Sequence, residues 1–379
     1  MIGVVGCGGA GGNFADEAMK HGFYSVAINY SERDLKSLEY VEDIFQLDGS
    51  EGVGKNRDLA IELLVRQYDQ TINWLKDKFS LPEIKVIAFF FASSGGSGAG
   101  IAPLLMDLLQ NAMPEKTIVG FPIIPDETED DTAQTNCIST FEELSRLETA
   151  LYPIDNQQVK RFNPNIPKNK LYDITNTNGI HILKTLVSYI DKSSKNGNFD
   201  ERDLLTVLQT KGIGHISEIN FIPSESQQSI QLSTQGISTL IHDQWDRSIF
   251  APIEFDFVTR AGVIFDGEER FTELISHPHI FSPFTSGMPV GLYEGYYHES
   301  NNKIITILSG LPWINTRLKR IETIIEQNKN KIEIVLTSQL ETQYVSSVSK
   351  ISDKLRMPTK SSTPKRSPAE ILAKYKLNK

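Results

Sequence analysis

The sequence predicts an α/β fold, with a parallel sheet covered by helices and joined through one long helix to a smaller α+β unit. Three observations predict it. Short apolar runs alternate with helical periodicity through the first half, and glycine-rich turns follow two of those runs. An unbroken helical pattern, ITNTNGIHILKTLVSYI (174–190), then separates this half from a second set of strands.

Strands are expected at 2–6, 25–29, 84–91 and 117–123, with a helical stretch at 57–79 between the second and third. In the 174–190 segment Leu183, Leu186, Val187 and Ile190 fall at helical spacing, which predicts one long buried helix. Beyond it, 255–265 and 303–311 read as strands, and Leu318, Ile321 and Ile325 make 315–328 an amphipathic helix. KIEIVL (331–336) is expected to return as a strand. The division is therefore 1–173, 174–207 as central helix and loop, 208–356 as the second domain, and 357–379 as a tail. The tail is rich in Ser, Pro and Lys and is expected to be flexible, ending in a short basic helix.

Charge is uneven along the chain. From Lys350 onward nine Lys or Arg face only Asp353 and Glu370, so this end carries +7 of a net −10 and leaves −17 on the body. An acidic body argues against direct nucleic-acid binding there, and a basic end reads as an interaction tail. With two cysteines, Cys7 and Cys137, a disulfide framework is not credible, which points to a reducing, cytoplasmic setting. No apolar run is long enough to cross a membrane, and Met1 leads straight into a strand without a leader. The seven His are scattered, so no zinc site is expected.

VVGCGGAGGN (4–13) carries the strand, G-x-G-x-x-G and helix order of a Rossmann-like dinucleotide turn through Gly6, Gly8 and Gly11. Small residues there let backbone N–H groups approach phosphate oxygens. A nicotinamide enzyme would end its second strand in an acid for the ribose, and this strand ends in Asn29. ASSGGSGAG (92–100) is a second such loop. One glycine-rich turn is accounted for by tight packing as readily as by a ligand, but two at adjacent strand ends grip a polyphosphate. No G-x-x-x-x-G-K-[ST] is present, which excludes a P-loop nucleotidase, and NKLYD (169–173) has the wrong spacing for a guanine-reading NKxD.

Together these loops resemble the tubulin/FtsZ superfamily. SGGSGAG (94–100) is similar to its GGGTGTG signature, GCGGAGGN (6–13) to its first phosphate loop, AINYSERDL (27–35) to its second and GVGKN (52–56) to its third. The resemblance covers roughly residues 1–337 and implies a GTPase. It places phosphate contacts at Gly8, Gly9, Ala10, Gly11, Gly12, Asn13, Asn29, Gly54, Lys55, Ser94, Gly95, Gly96, Ser97 and Gly98. It gives the ribose to Glu129, with Glu127 in reserve, and the guanine to Asn156, Tyr172 and Asn176. GNFDERD (197–203) matches the family's N-x-D-x-x-D loop, which implies catalytic roles for Asn198, Asp200 and Asp203 on a neighbouring subunit's nucleotide. Read alone, the two Asp are an ordinary helix cap and first-turn acid.

The chain departs from the pattern at Ser31, where division proteins commonly carry Asp, so no side-chain metal ligand is expected there. The TED of 128–130 and the basic tail look most like the TubZ-type segregation tubulins of plasmids and phages. The resemblance thus implies GTP/GDP and Mg²⁺ as ligands, self-association head to tail, and a DNA-binding adaptor reached through the tail, with plasmid or phage DNA only indirect and no membrane partner. The alternatives are a nicotinamide oxidoreductase and an FtsZ-type scaffold with weak hydrolysis.

Overall fold

The computed structural model describes residues 1–221, 233–299 and 301–340, with side chains of the last helix described to residue 330. The basic tail and its terminal helix lie outside the described residues.

The first half alternates as expected. β1 (Ile2–Cys7) leads into α1 (Gly8–Lys20), β2 (Tyr24–Asn29) into α2 (Glu32–Lys36), and β3 (Ile44–Gln46) follows. α3 (Arg57–Val65) and α4 (Tyr68–Lys78) precede β4 (Val86–Ala92), which opens into α5 (Ser97–Ala112). β5 (Thr117–Ile124) and α6 (Asp131–Leu144) come next, then the two-residue strands β6 (Ala150–Leu151) and β7 (Ile154–Asp155). α7 (Asn156–Phe162) and α8 (Lys168–Val187) lead to α9 (Glu201–Leu208) and β8 (Gly212–Asn220). The remainder is α10 (Thr234–Arg247), β9 (Arg260–Asp266), α11 (Glu269–Thr272), α12 (His277–Ile280), β10 (Gly291–Tyr297), β11 (Lys303–Leu311) and α13 (Asn315–Leu340).

All eleven strands join one sheet in the order β10-β9-β11-β8-β6-β5-β4-β1-β2-β3, with β7 pairing β5 off that path. Every pairing from β3 to β8 is parallel, while β11 runs antiparallel to β8 and β9. Strands buried on both faces read as continuous apolar runs, which is how VIAFFFA can be a strand without alternation. Within it Ile87, Phe89 and Phe91 enter the core under α3 to α5, whereas Val86, Ala88 and Phe90 enter the core under α1 and α8. On the second face the rings of Phe14, Phe90, Phe121 and Tyr152 stack in series at 4.9, 4.4 and 5.3 Å.

Four expectations change. The 57–79 helix is two, because Gln67 leaves helical geometry and its amide bonds back to Leu63 O and across to Asp48 O. The long helix starts at Lys168 and ends at Val187, with Ser188 as its C-cap. The strand expected at 255–265 begins only at Arg260, leaving Phe255 and Phe257 exposed before it. KIEIVL is helix, not strand. No Gly or Pro interrupts the chain between 315 and 340, so a helix already nucleated propagates through a locally strand-like pattern.

Candidate functional site

Both glycine-rich loops leave the carboxyl ends of paired parallel strands, β1 and β4, where Cys7 sits opposite Phe91. That edge of an open α/β sheet is where ligands bind. Much of the glycine content is structural. A Cβ on Gly6 or Gly11 would meet backbone at 2.3 and 2.2 Å, and one on Gly8 or Gly98 would meet the facing segment's backbone at 2.7 and 2.6 Å, so the two loops pack closely. Gly96 has no room either, because a Cβ there would meet Val53 and Lys55 at 2.7 and 2.9 Å. Four glycines remain that packing does not require: a Cβ on Gly12 would meet only Leu38 at 3.6 Å, one on Gly52 or Gly95 nothing closer than 4.0 Å, and one on Gly54 nothing at all within 4 Å. Gly54 does need its left-handed φ of 52°.

Beside these loops lies a pocket lined by Ala10, Asn13, Phe14, Ala92, Ser94, Ile123, Glu129, Asn156, Tyr172, Thr175 and Asn176. Separate elements deliver its polar groups. α1 brings Asn13 on its second turn, the 125–130 segment brings Glu129, and α7 starts with Asn156 after Asp155 caps it. Tyr172, Thr175 and Asn176 share one face of α8 near its N-terminus. Among the described residues the side chains of Asn13, Ser94 and Asn176 carry no hydrogen bond within the protein, so their polar groups are unspent. Asn156 is buried and accepts from Thr175 Oγ1 at 3.2 Å, which orients its amide.

Glu129 is nearly buried, and desolvation pushes its carboxyl above the ordinary range, opposed by Lys168 Nζ at 3.6 Å. A carboxyl kept short of water is a ready acceptor for a hydroxyl arriving with a ligand. Glu127 faces elsewhere, paired to Arg320 at 2.8 Å on α13. Of the two acids considered for the ribose, Glu129 alone reaches the pocket. Lys168 also stands 5.7 Å over the Tyr172 ring.

The structure therefore brings together Ala10, Asn13, Ser94, Glu129, Asn156, Tyr172 and Asn176. Asn29 is not among them: its Nδ2 donates to Asp34 at 2.9 Å and its Oδ1 accepts from Ser31 N at 3.4 Å. It holds Asp34, whose Oδ2 comes within 3.1 Å of a Cβ placed on Gly9. Gly54 and Lys55 stand on the far side of Gly96, with Lys55 paired to Asp130. Sequence reasoning missed Phe14 and Thr175, although Thr175 could have been found as the third residue on the Tyr172–Asn176 face. Asn136, which bonds to the 52–56 and 92–100 loops at once, carried no signal in the sequence.

Asn198, Asp200 and Asp203 lie at the other end of the sheet. Glu201 pairs with Lys85, one residue before β4, at 2.8 Å, and Gln209 bonds Thr117 at the start of β5 at 3.0 Å. α9 therefore sits at the amino ends of strands whose carboxyl ends carry the glycine loops. The seven residues of β4 alone separate the two by about 23 Å. Here each of the two acids spends one oxygen on the backbone. Asp200 accepts from Asp203 N at 2.9 Å and Asp203 accepts from Asp200 N at 3.2 Å, a reciprocal capping box. Asn198 Oδ1 accepts from Ser194 N at 2.5 Å. Burial raises the Asp203 carboxyl from its usual range. Among the described residues no group of three or more His, Cys, Asp or Glu could hold a metal, and no helix is long and apolar enough to cross a membrane.

Comparison with known proteins agrees with this geometry. Residues 1–164 match the model of the tubulin/FtsZ family, GTPase domain. Tubulin-like protein CetZ of Pyrococcus abyssi is 23% identical over 326 residues, covering 81% of this chain and 85% of its own length. Tubulin-like protein TubZ of Clostridium botulinum C phage is 24% identical over 345 residues, 89% of this chain and 86% of its own. The crystal structure of a GTPγS-form protofilament of Bacillus thuringiensis serovar israelensis TubZ superposes with a TM-score of 0.75 at 16% identity, over 89% of this chain and 94% of that one. CetZ and TubZ are equally near, so the likeness does not single out the TubZ type expected from the sequence. Residues 1–164 thus match a GTPase domain of the tubulin/FtsZ family, in a chain with the tubulin-like fold.

Proposed function

We propose that the chain is a filament-forming GTPase that hydrolyses GTP at the junction between subunits stacked head to tail. The observation that carries this reading is the separation of two half-sites. A pocket with unspent polar groups lies at the carboxyl end of the sheet, and the N-x-D-x-x-D loop lies at the amino end. Stacking copies along the sheet's strand direction would bring one end of each onto the other end of the next. Such a heterologous contact does not close on itself, so it makes a filament. The protofilament form of the TubZ neighbour, crystallised with a slowly hydrolysed GTP analogue, supports the same arrangement.

In this reading Tyr172 stacks on guanine, Asn176 and Asn156 meet its edge, and Glu129 takes the ribose hydroxyls. The backbone N–H groups of residues 8–13 and 94–98 cradle the phosphates, with residues 52–56 beyond them. Mg²⁺, when bound, would neutralise phosphoryl charge, and Asp34 beside Gly9 would help to hold it. Asp200 and Asp203 of the adjoining copy would orient and polarise the attacking water, with Asn198 fixing their loop. The basic segment 357–379 would reach a DNA-binding adaptor, making plasmid or phage DNA segregation in the cytoplasm the cellular role. The division into a GTP-binding domain (1–173), a central helix and catalytic loop (174–207) and a second domain (208–356) belongs to the same proposal.

Sedimentation with GTP, GDP and GTPγS tests the reading. Polymer is expected with GTP and to persist with GTPγS, and phosphate release should rise with protein concentration. Turnover that is linear in subunit concentration, with no polymer, would contradict it.

A further inference from the structure

We propose that Asn136, on the second turn of α6, is a positioning residue that fastens the 52–56 loop to the second glycine loop. The proposal rests on the nucleotide reading above. The Nδ2 of Asn136 lies 2.9 Å from Lys55 O, 3.0 Å from Gly95 O and 3.3 Å from Ser94 O. Three backbone carbonyls from two loops thus converge on one side-chain donor. One turn along the same face, Thr140 Oγ1 donates to Ser93 O at 3.0 Å, so α6 grips the glycine loop at successive points.

The grip matters because of what it holds. Gly54 and Lys55 take consecutive left-handed conformations, φ 52° and 62°, and Lys55 is not a glycine. A left-handed non-glycine residue needs its surroundings to keep it there. Its carbonyl is bound by Asn136, its side chain pairs with Asp130, the N-cap of α6, and its backbone packs so close to Gly96 that a Cβ there would not fit. The loop is therefore set from α6, while its own exposed edge, at Gly54, stays open. In the nucleotide reading proposed above, residues 52–56 lie beyond the two glycine loops, at the terminal phosphate, the one group GTP has and GDP lacks. Asn136 would then act on the choice between the two nucleotides without touching either.

The full-length chain, freed of nucleotide, is titrated with GTPγS and with GDP at fixed Mg²⁺. Asn136→Asp keeps the shape and removes the donor. It is expected to weaken GTPγS about tenfold, the scale of one lost hydrogen bond, and GDP less than about twofold. Asn136→Ser, which carries no charge and is too short to span the loops, should give the same split and covers the case in which the acid unsettles α6. An equal loss for both nucleotides means Asn136 only supports the fold, and no loss for either means the bonds are dispensable. Both results overturn the proposal and leave the nucleotide reading standing. A parent chain that binds neither nucleotide overturns the two together.

Discussion

The two ends of the sheet differ in how their polar groups are used. At the carboxyl end the side chains of Asn13, Ser94 and Asn176 make no hydrogen bond among the described residues and Gly95 faces open space. At the amino end Asn198, Asp200 and Asp203 each spend one side-chain oxygen on a backbone N–H of their own loop, the two acids on each other's. Ser94 is buried and Asn176 half-buried, so their unspent groups call for a partner, whereas the acids at the amino end already hold the start of their own helix. In the proposed reading one chain binds the nucleotide and a second supplies the acids. Asp200 Oδ2 and Asp203 Oδ1 take no part in the cap, so each acid could meet a neighbour's water while its other oxygen holds the helix.

Predictions sharpen that contrast in order of size. Asp200→Ala should lower GTP turnover by about 10²–10⁴-fold, the usual loss for a positioned acid–base group, while GTP binding measured by titration stays at the parental value. Loss of binding as well would merge the two ends and break the comparison. At the pocket, Tyr172→Ala and Asn176→Ala should each weaken GTP by about 1–3 kcal/mol in calorimetry, with the base–aromatic part on the scale known from single-strand binding. Turnover per bound nucleotide should change much less than binding does. If both variants bind GTP normally and still reject ATP, the base does not lie on α8.

A third test concerns neither end and calibrates both. His215 in β8 is fully buried with both ring nitrogens unpaired, and burial depresses its pKa to about 3. The unfolded chain takes up a proton below about 6.5 and the folded chain does not, so stability falls as pH drops through that window. At pH 5 the cost is about 2 kcal/mol, and His215→Phe should remove that slope from the denaturation midpoint. The smallest effect separates cap from catalyst. Asp200→Ala should cost about 1 kcal/mol of folding stability through the lost N-cap, whereas Asp200→Asn, an equally good cap, should cost almost none.

Much of this was legible in the sequence for a physical reason. The glycine loops and the strands before them are local features, set by φ requirements and by apolar runs, and β1, β4 and β5 came out within two residues of expectation. The Tyr172–Asn176 face came from the family resemblance together with the four-residue spacing, although the helix carrying it starts earlier than expected, at Lys168. KIEIVL misled because its alternation is a strand signal, yet α13 had already nucleated upstream. Asn136, and the use of Asn29 to hold Asp34, depend on contacts between residues far apart in sequence, or on a side chain turning to its own loop, neither of which periodicity encodes.

Mixed filaments of parent and Asp200→Asn subunits test the central claim most directly. The variant keeps its cap and its own nucleotide pocket, so each substituted subunit should silence the nucleotide of the neighbour it faces, not its own. Phosphate release per bound GTP should then fall in proportion to the fraction of variant in the filament. When the parent's own pocket is disabled by Tyr172→Ala, variant subunits in the mixture should still turn over the GTP they hold. If the variant's own nucleotide is the one that survives unhydrolysed in such mixtures, the carboxylates act within their own chain and the account is wrong.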